Sequence, residues 1–168
     1  IYKLPCTGLR FFTVYGPWGR PDMAPMIFTR SIFSKKKIDI YNFGNMVRDF
    51  TYIDDVVEGL LKCCYKKATK NESFDPLDVK PSSSLAPFRI FNLGNSNPIE
   101  LMKFINILEE VIGLKAIKNF VEISPGDVIK TEANTSKLKN WINYEPQTDI
   151  YDGVCIFIKW YKNYYGLE

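Results

Sequence analysis

The sequence predicts an α/β fold on three observations. Runs rich in β-branched and aromatic residues, such as residues 7–14 and 88–93, read as strands. Stretches with apolar residues at helical spacing lie between them, residues 101–112 being the clearest. Segments rich in Gly and Pro mark the change from one period to the other. With 168 residues, 46% hydrophobic and 24% charged, the chain has the make-up of one domain with its own core. Folding at this size buries roughly two-thirds of the unfolded surface.

The first strand, residues 7–14, runs into Tyr15-Gly16-Pro17-Trp18-Gly19-Arg20-Pro21-Asp22, a loop by its Gly and Pro content. Asp22 is placed to cap a helix over residues 23–34, with Met26, Ile27, Arg30 and Phe33 at helical spacing. Lys35-Lys36-Lys37 suits the helix C-terminus, as a solvated end rather than a phosphate or nucleic-acid patch. Residues 38–41 alternate as a strand, Asn42-Phe43-Gly44-Asn45 turns the chain, and residues 48–53 are extended. Asp54-Asp55 then caps a helix with Val57, Leu60, Leu61 and Cys64 along its inner face. Residues 68–87 lack periodicity and read as a long surface loop. After the strand at 88–93, Asn97-Pro98-Ile99-Glu100 predicts a helix with Asn97 as N-cap and Pro98 at its first position. Its core stripe is Leu101, Phe104, Ile105, Leu108, Val111 and Ile112, and Gly113 ends it. A strand at 119–123, a turn at Pro125-Gly126-Asp127, a short helix at 136–141 and a last helix at 150–164 complete the order. Val154, Phe157, Ile158 and Tyr161 form the inner face of that last helix. Three or four short strands among these helices are too sparse for a complete doubly wound sheet.

Composition excludes several chemistries. The chain has no histidine, which removes His general bases, His metal ligands and Ser-His or Cys-His nucleophile pairs. A net charge of +3 argues against nucleic-acid binding through a basic field. Cys6, Cys63, Cys64 and Cys155 form neither a C-x-x-C pair nor a disulfide framework. Cys63 and Cys64 read as small buried hydrophobes, in keeping with a reducing, cytoplasmic setting. No apolar run approaches the about 20 residues of a membrane helix. Neither G-x-G-x-x-G, G-x-x-x-x-G-K-[ST] nor Tyr-x-x-x-Lys occurs. Ile1-Tyr2-Lys3-Leu4-Pro5 has no Met and no signal-peptide pattern, and reads as the interior of a longer sequence.

Four places carry candidate chemistry. Thr13, at a strand exit, and Arg20, seven residues on, suit a carboxylate through one neutral and one charge-assisted hydrogen bond. On spacing alone, an arginine on a surface turn is the stronger reading. Arg48-Asp49 offers a guanidinium whose fork fits phosphate, against an exposed strand charge. Asp39-Ile40-Tyr41 sets a polar and an aromatic group on one strand face, suited to a flat base or to ordinary half-burial in a sheet. Gly126-Asp127 is a turn whose Asp more often caps locally.

Taken together, Gly8-Leu9-Arg10-Phe11-Phe12-Thr13-Val14-Tyr15-Gly16-Pro17-Trp18-Gly19-Arg20-Pro21-Asp22-Met23-Ala24 closely resembles the segment beyond the catalytic residues in extended short-chain dehydrogenases/reductases. Within that family it looks most like the UDP-glucuronate 4-epimerases, often labelled capsular polysaccharide biosynthesis proteins. Arg48-Asp49-Phe50-Thr51-Tyr52-Ile53-Asp54-Asp55 matches the family's next signature, and Phe91-Asn92-Leu93-Gly94-Asn95 and Pro125-Gly126-Asp127-Val128 follow in order. The resemblance spans essentially the whole chain. It implies the C-terminal portion of the Rossmann-like fold: a late strand and substrate loop in residues 1–21, and mostly the sugar-nucleotide domain in 22–168. The N-terminal NAD-binding part, with the glycine-rich loop and the Tyr-x-x-x-Lys, would lie upstream of Ile1.

The activity implied is epimerisation of UDP-glucuronate at C4 through oxidation and reduction by NAD. This chain would be inactive alone and would need a separate N-terminal half-chain, the parent enzymes usually being homodimeric. By resemblance, Phe12 lies beside the nicotinamide, Thr13 and Arg20 hold the glucuronate carboxylate, and Met23 makes a backbone contact near the nucleotide. Asp39 and Tyr41 line the uridine site and Arg48 binds the diphosphate. No residue is assigned to catalysis or to a metal. Another UDP-sugar epimerase, dehydratase or decarboxylase, or a non-catalytic remnant, are the alternatives.

Overall fold

The computed structural model describes residues 2–167. β1 (Cys6–Phe11) and β2 (Thr13–Tyr15) divide the single strand expected over residues 7–14. They divide because the chain changes partner at Phe12. Its N–H donates to the Leu93 carbonyl (3.3 Å), whereas the N–H of Thr13 donates to the Asp49 carbonyl (3.1 Å). α1 (Ala24–Phe33), β3 (Lys37–Ile40), a 3-10 turn (Tyr41–Gly44), β4 (Val47–Arg48), β5 (Phe50–Tyr52) and α2 (Ile53–Tyr65) follow. After the irregular residues 66–87 come β6 (Phe88–Leu93), β7 (Ile99–Glu100), α3 (Leu101–Ile112), β8 (Ile117–Phe120), α4 (Ser136–Ile142) and α5 (Ile150–Tyr165). Among the described residues the strands pair two by two. β1 with β6, β2 with β5 and β3 with β8 are parallel, and β4 with β7 is antiparallel.

Three expected helix starts move. Asp22 does not cap α1: its N-cap is Met23, with no side-chain cap bond, and Pro25 occupies the first turn. A proline there lacks only an N–H that a helix start leaves unpaired anyway. Asn97 does not start α3 either, because Ile99 and Glu100 pair with β4 and the helix opens at Leu101. Asp54 and Asp55 lie in the first turn of α2, whose N-cap is Tyr52. Strand β8 also begins two residues before the stretch expected at 119–123.

The inner face of α2 differs from the expected one. Val57, Leu60, Leu61 and Cys64 face outward, whereas Val56, Gly59 and Cys63 are buried. Polar anchoring and a close approach select the face, not the apolar stripe. The Asp55 carboxylate accepts from the N–H groups of Gln147 (3.2 Å) and Thr148 (3.1 Å). A Cβ at Gly59 would stand 2.9 Å from Leu93 Cδ1, so only glycine lets the helix lie this close to β6. Of the two cysteines expected inside, only Cys63 is.

The main core joins α1, α3 and α5 over β2, β3 and β5. Phe104, Ile105, Leu108, Val154 and Phe157 are fully buried there, and Phe50 stacks on Phe104 with ring centroids 4.2 Å apart. Each such side chain contributes about 2–3 kcal/mol by leaving water. A smaller cluster, Val56, Cys63, Phe91, Leu93 and Leu138, seals α2 and α4 onto β6.

Two buried carboxylates hold the segments between these elements. Asp49, with no exposed surface, lies between β4 and β5 and accepts from the N–H groups of Asn95 (2.9 Å), Ser96 (3.0 Å) and Ala133 (2.9 Å). Glu109 on α3 accepts from Lys115 Nζ (2.9 Å), Lys118 Nζ and the N–H of Ala116 (2.9 Å). Burial alone raises the Glu109 carboxyl, but the bonds from Lys118, Lys115 and Ala116 outweigh it and hold it down at about 2.

Asp49→Ala leaves three buried donors unpaired, at about 1–3 kcal/mol each if no water replaces the carboxylate. The urea midpoint should fall by at least half with an unchanged slope. Because the folded Glu109 titrates below its ordinary 4.5, its contribution is complete above that pH and is lost as pH falls toward 2. Glu109→Gln should therefore destabilise the protein at pH 7 and leave it nearly unchanged at pH 2, as read by melting temperatures along a pH series.

Candidate functional site

β4 is only two residues long, yet it is held on both sides. It pairs with β7 on one side; on the other, the Val47 N–H donates to the Ile129 carbonyl (2.9 Å) and the Thr131 N–H to the Val47 carbonyl (3.1 Å). This fixes the direction of the Arg48 side chain. Its Nη1 donates to the carbonyls of Val47 (3.0 Å) and Ile129 (3.1 Å), and its Nη2 to Asp127 Oδ1 (3.0 Å). Gly126, at φ +84°, makes the turn that presents Asp127, whose Oδ1 also accepts from the Val128 N–H (2.8 Å). Asp127 is thus both the local cap that its turn suggested and the partner of Arg48. The sequence signal for the second role was only the proximity of an acid to a positive-φ turn.

A cavity of about 310 Å3 lies against Arg48 and Asp127. Five of the expected site residues line it together: Thr13, Met23, Asp39, Tyr41 and Arg48. Thr13 comes from the start of β2, Met23 from the cap of α1, and Asp39 and Tyr41 from β3 and the 3-10 turn that follows it. That turn is tight, with Asn42 and Phe43 both left-handed and the Asn42 amide donating to the Asn45 carbonyl (2.7 Å). It leaves Tyr41 41% exposed, and Tyr41 lines the cavity. Asp39 accepts from Asn119 Nδ2 (2.7 Å), its register partner on β8. Phe28, Phe50 and Leu101 supply apolar wall. The arrangement offers a guanidinium, an aromatic edge and a hydroxyl within one apolar-walled cleft, as a site for a polar ligand with a flat end requires.

Two expected residues stand outside. Phe12 occupies the break between β1 and β2, where a Cβ on Gly94 would lie 3.3 Å from its ring. Arg20 does not line the cavity; its guanidinium makes a two-pronged pair with Asp22, Nε to Oδ1 at 3.1 Å and Nη2 to Oδ2 at 2.5 Å. Asp22 itself does line it. Its hydrogen bond from Arg20 holds its carboxyl below the usual range. Arg48 in the cavity wall and Arg20 outside it are therefore each engaged by a carboxylate of this chain. A second cavity, of about 360 Å3, between residues 95–97 and 145–150 contains none of the expected site residues.

Residues 1–75 match the family model described as NAD dependent epimerase/dehydratase family. Protein CapI of Staphylococcus aureus is 49% identical over 165 residues, covering 98% of this chain and 49% of CapI. UDP-glucuronate 4-epimerase 1 of Arabidopsis thaliana is 48% identical over 170 residues, covering 99% of this chain and 38% of that protein. The crystal structure of UDP-glucuronic acid 4-epimerase from Bacillus cereus, in complex with UDP-glucuronic acid and NAD, superposes with a TM-score of 0.75 at 31% identity. That match covers 94% of this chain and 45% of the Bacillus chain. The chain thus spans half or less of the length of these relatives. Sequence and fold together place it with the C-terminal half of the NAD dependent epimerase/dehydratase family, whose fold is the Rossmann-like one of the extended short-chain dehydrogenases/reductases.

Proposed function

We propose that this chain is the substrate-binding half of a nucleotide-sugar epimerase that interconverts UDP-glucuronate and UDP-galacturonate. The observation that carries the reading is the single cavity lined by Thr13, Met23, Asp39, Tyr41 and Arg48. In it Arg48 takes the diphosphate: its Nη1 is fully used by two carbonyls, but Nε has no partner among the described residues. Asp39 and Tyr41 hold the uracil, Met23 contributes backbone, and Thr13 meets the sugar carboxylate. The similarity to UDP-glucuronate 4-epimerases supports the same substrate.

NAD belongs to the whole enzyme in this reading. When bound it supplies hydride removal and return at the sugar C4. This chain's residues fit only one edge of its site, the ring of Phe12 beside Gly94, because no glycine-rich turn is present to hold a pyrophosphate. The Tyr-x-x-x-Lys does not occur in these residues either, so in this reading both motifs belong to the other half of the enzyme. No helix among the described residues is long and apolar enough to cross a membrane, and we place the work of the enzyme in the cytoplasm, where free thiols persist. A neutral UDP-hexose is the second reading, favoured by the position of Arg20 outside the cavity.

The chain should bind UDP in calorimetry, and Arg48→Ala should weaken that binding about 10–100-fold, the worth of a charge-assisted phosphate contact. Equal affinity in the variant would overturn the assignment. Given UDP-glucuronate and NAD, the chain alone should form no UDP-galacturonate detectable by chromatography.

A further inference from the structure

A concentration of positive charge lies away from the cavity described above. Two further cavities, of about 380 and 340 Å3, adjoin beside β6 and share Lys80, Ser82, Ile90, Phe91 and Lys137 as wall. The first adds Arg89 and the second Arg10, so each is lined by one arginine and the same two lysines. No aspartate or glutamate among the described residues lines either of them. The cavity against Arg48 has the opposite balance, one guanidinium to the three carboxylates of Asp22, Asp39 and Asp127.

Little in the chain answers these cations. Arg10, Arg89 and Lys137 make no ion pair among the described residues. Lys80 meets only Asp78, at 3.4 Å, and both side chains of that pair are more than half exposed. A pair of this kind is worth about 0–1 kcal/mol. The like charges therefore stand close together uncompensated, an arrangement that favours an anion between them.

The cations are also held in place. The Ile90 N–H donates to the Ser82 carbonyl (2.9 Å) and Ser83 bridges antiparallel to Arg89, so residues 82–83 lie as a strap along β6. Lys137, on α4, donates from Nζ to the Ser82 hydroxyl (3.2 Å). The Arg89 guanidinium donates to the Lys70 carbonyl (2.8 Å) and sits over the Trp141 ring, 5.4 Å from its centroid. Lys66 takes the same ring, with Nζ 4.7 Å from the centroid, so Trp141 is engaged by cations rather than left for a stacked base.

We propose that these adjoining cavities form a binding site for a diphosphate group, sharing no residue with the cavity assigned to the UDP-sugar. Arginine supplies the two-oxygen fork and lysine the mobile point charge that phosphates take. Two compartments with their lysines in common suit two linked phosphates. Binding fastens the strap, since Lys80 and Ser82 come from the irregular segment, Arg89 from β6 and Lys137 from α4.

Pyrophosphate is the probe, titrated calorimetrically into the wild-type chain and into Arg48→Ala, which lacks the diphosphate contact of the other cavity. Binding should persist in Arg48→Ala. Lys137→Ala and Arg10→Ala, at exposed positions on different elements, should each weaken it about three- to tenfold, and Lys137→Glu should abolish it. In the wild-type chain, hydrogen exchange at the Ile90 amide should slow when pyrophosphate is added. UDP that binds Arg48→Ala as tightly as pyrophosphate supports the site with a nucleoside diphosphate as its ligand; much weaker UDP binding supports it with free pyrophosphate. If pyrophosphate binding vanishes in Arg48→Ala, ignores Lys137→Glu or is absent from the wild type, the site is overturned, and the first of these results leaves the UDP-sugar reading standing.

Discussion

One buried carboxylate determines where the site can form. Asp49 is fully buried and makes no ion pair among the described residues; the backbone N–H groups of residues 95, 96 and 133 donate to it. A charge can stay buried on these terms only when every lone pair it needs is met. Its backbone carbonyl takes the N–H of Thr13 as well. The residue thus ties the exit of β6, the segment before α4 and the start of β2 to one point. Arg48 precedes it and Phe50, stacked in the core, follows it. The position of Thr13 relative to Arg48 is in this sense a property of Asp49.

The helices were legible because their stripes are long: in α3, Leu101, Phe104, Ile105, Leu108 and Ile112 are buried where helical spacing puts them. What spacing could not supply was phase when something other than apolarity sets it. Leu60 and Leu61 are more apolar than Gly59, yet Gly59 goes inward, since Leu93 needs the space and Asp55 must reach Gln147 and Thr148. Helix starts failed for a related reason. Asn97-Pro98 has strong local preference, but two residues of pairing with β4 take Ile99 and Glu100 into a strand first.

The site residues were identified mainly by motif resemblance, and the cavity brings five of them together from elements far apart in sequence. Spacing alone favoured surface charges at Arg20 and Arg48, and for Arg20 exposure is what the structure has. The carboxylates were harder to read. Asp22, Asp39 and Asp127 all line a cleft assigned to an anionic ligand, an unfavourable field unless each is already engaged. Each is: by Arg20, by Asn119 and by Arg48. Arg20 and Arg48 offset the charge of Asp22 and Asp127, whereas the neutral Asn119 amide only hydrogen-bonds Asp39.

The reversed face of α2 turns two neighbouring thiols into a gauge. Cys64 is open to solvent, whereas Cys63 is packed beneath the helix with its thiol pushed up by burial. An alkylating reagent meets the first directly and the second only when the helix lifts from β6. The rate at which Cys63 is modified, set against Cys64 one peptide bond away, therefore counts the openings of that seam.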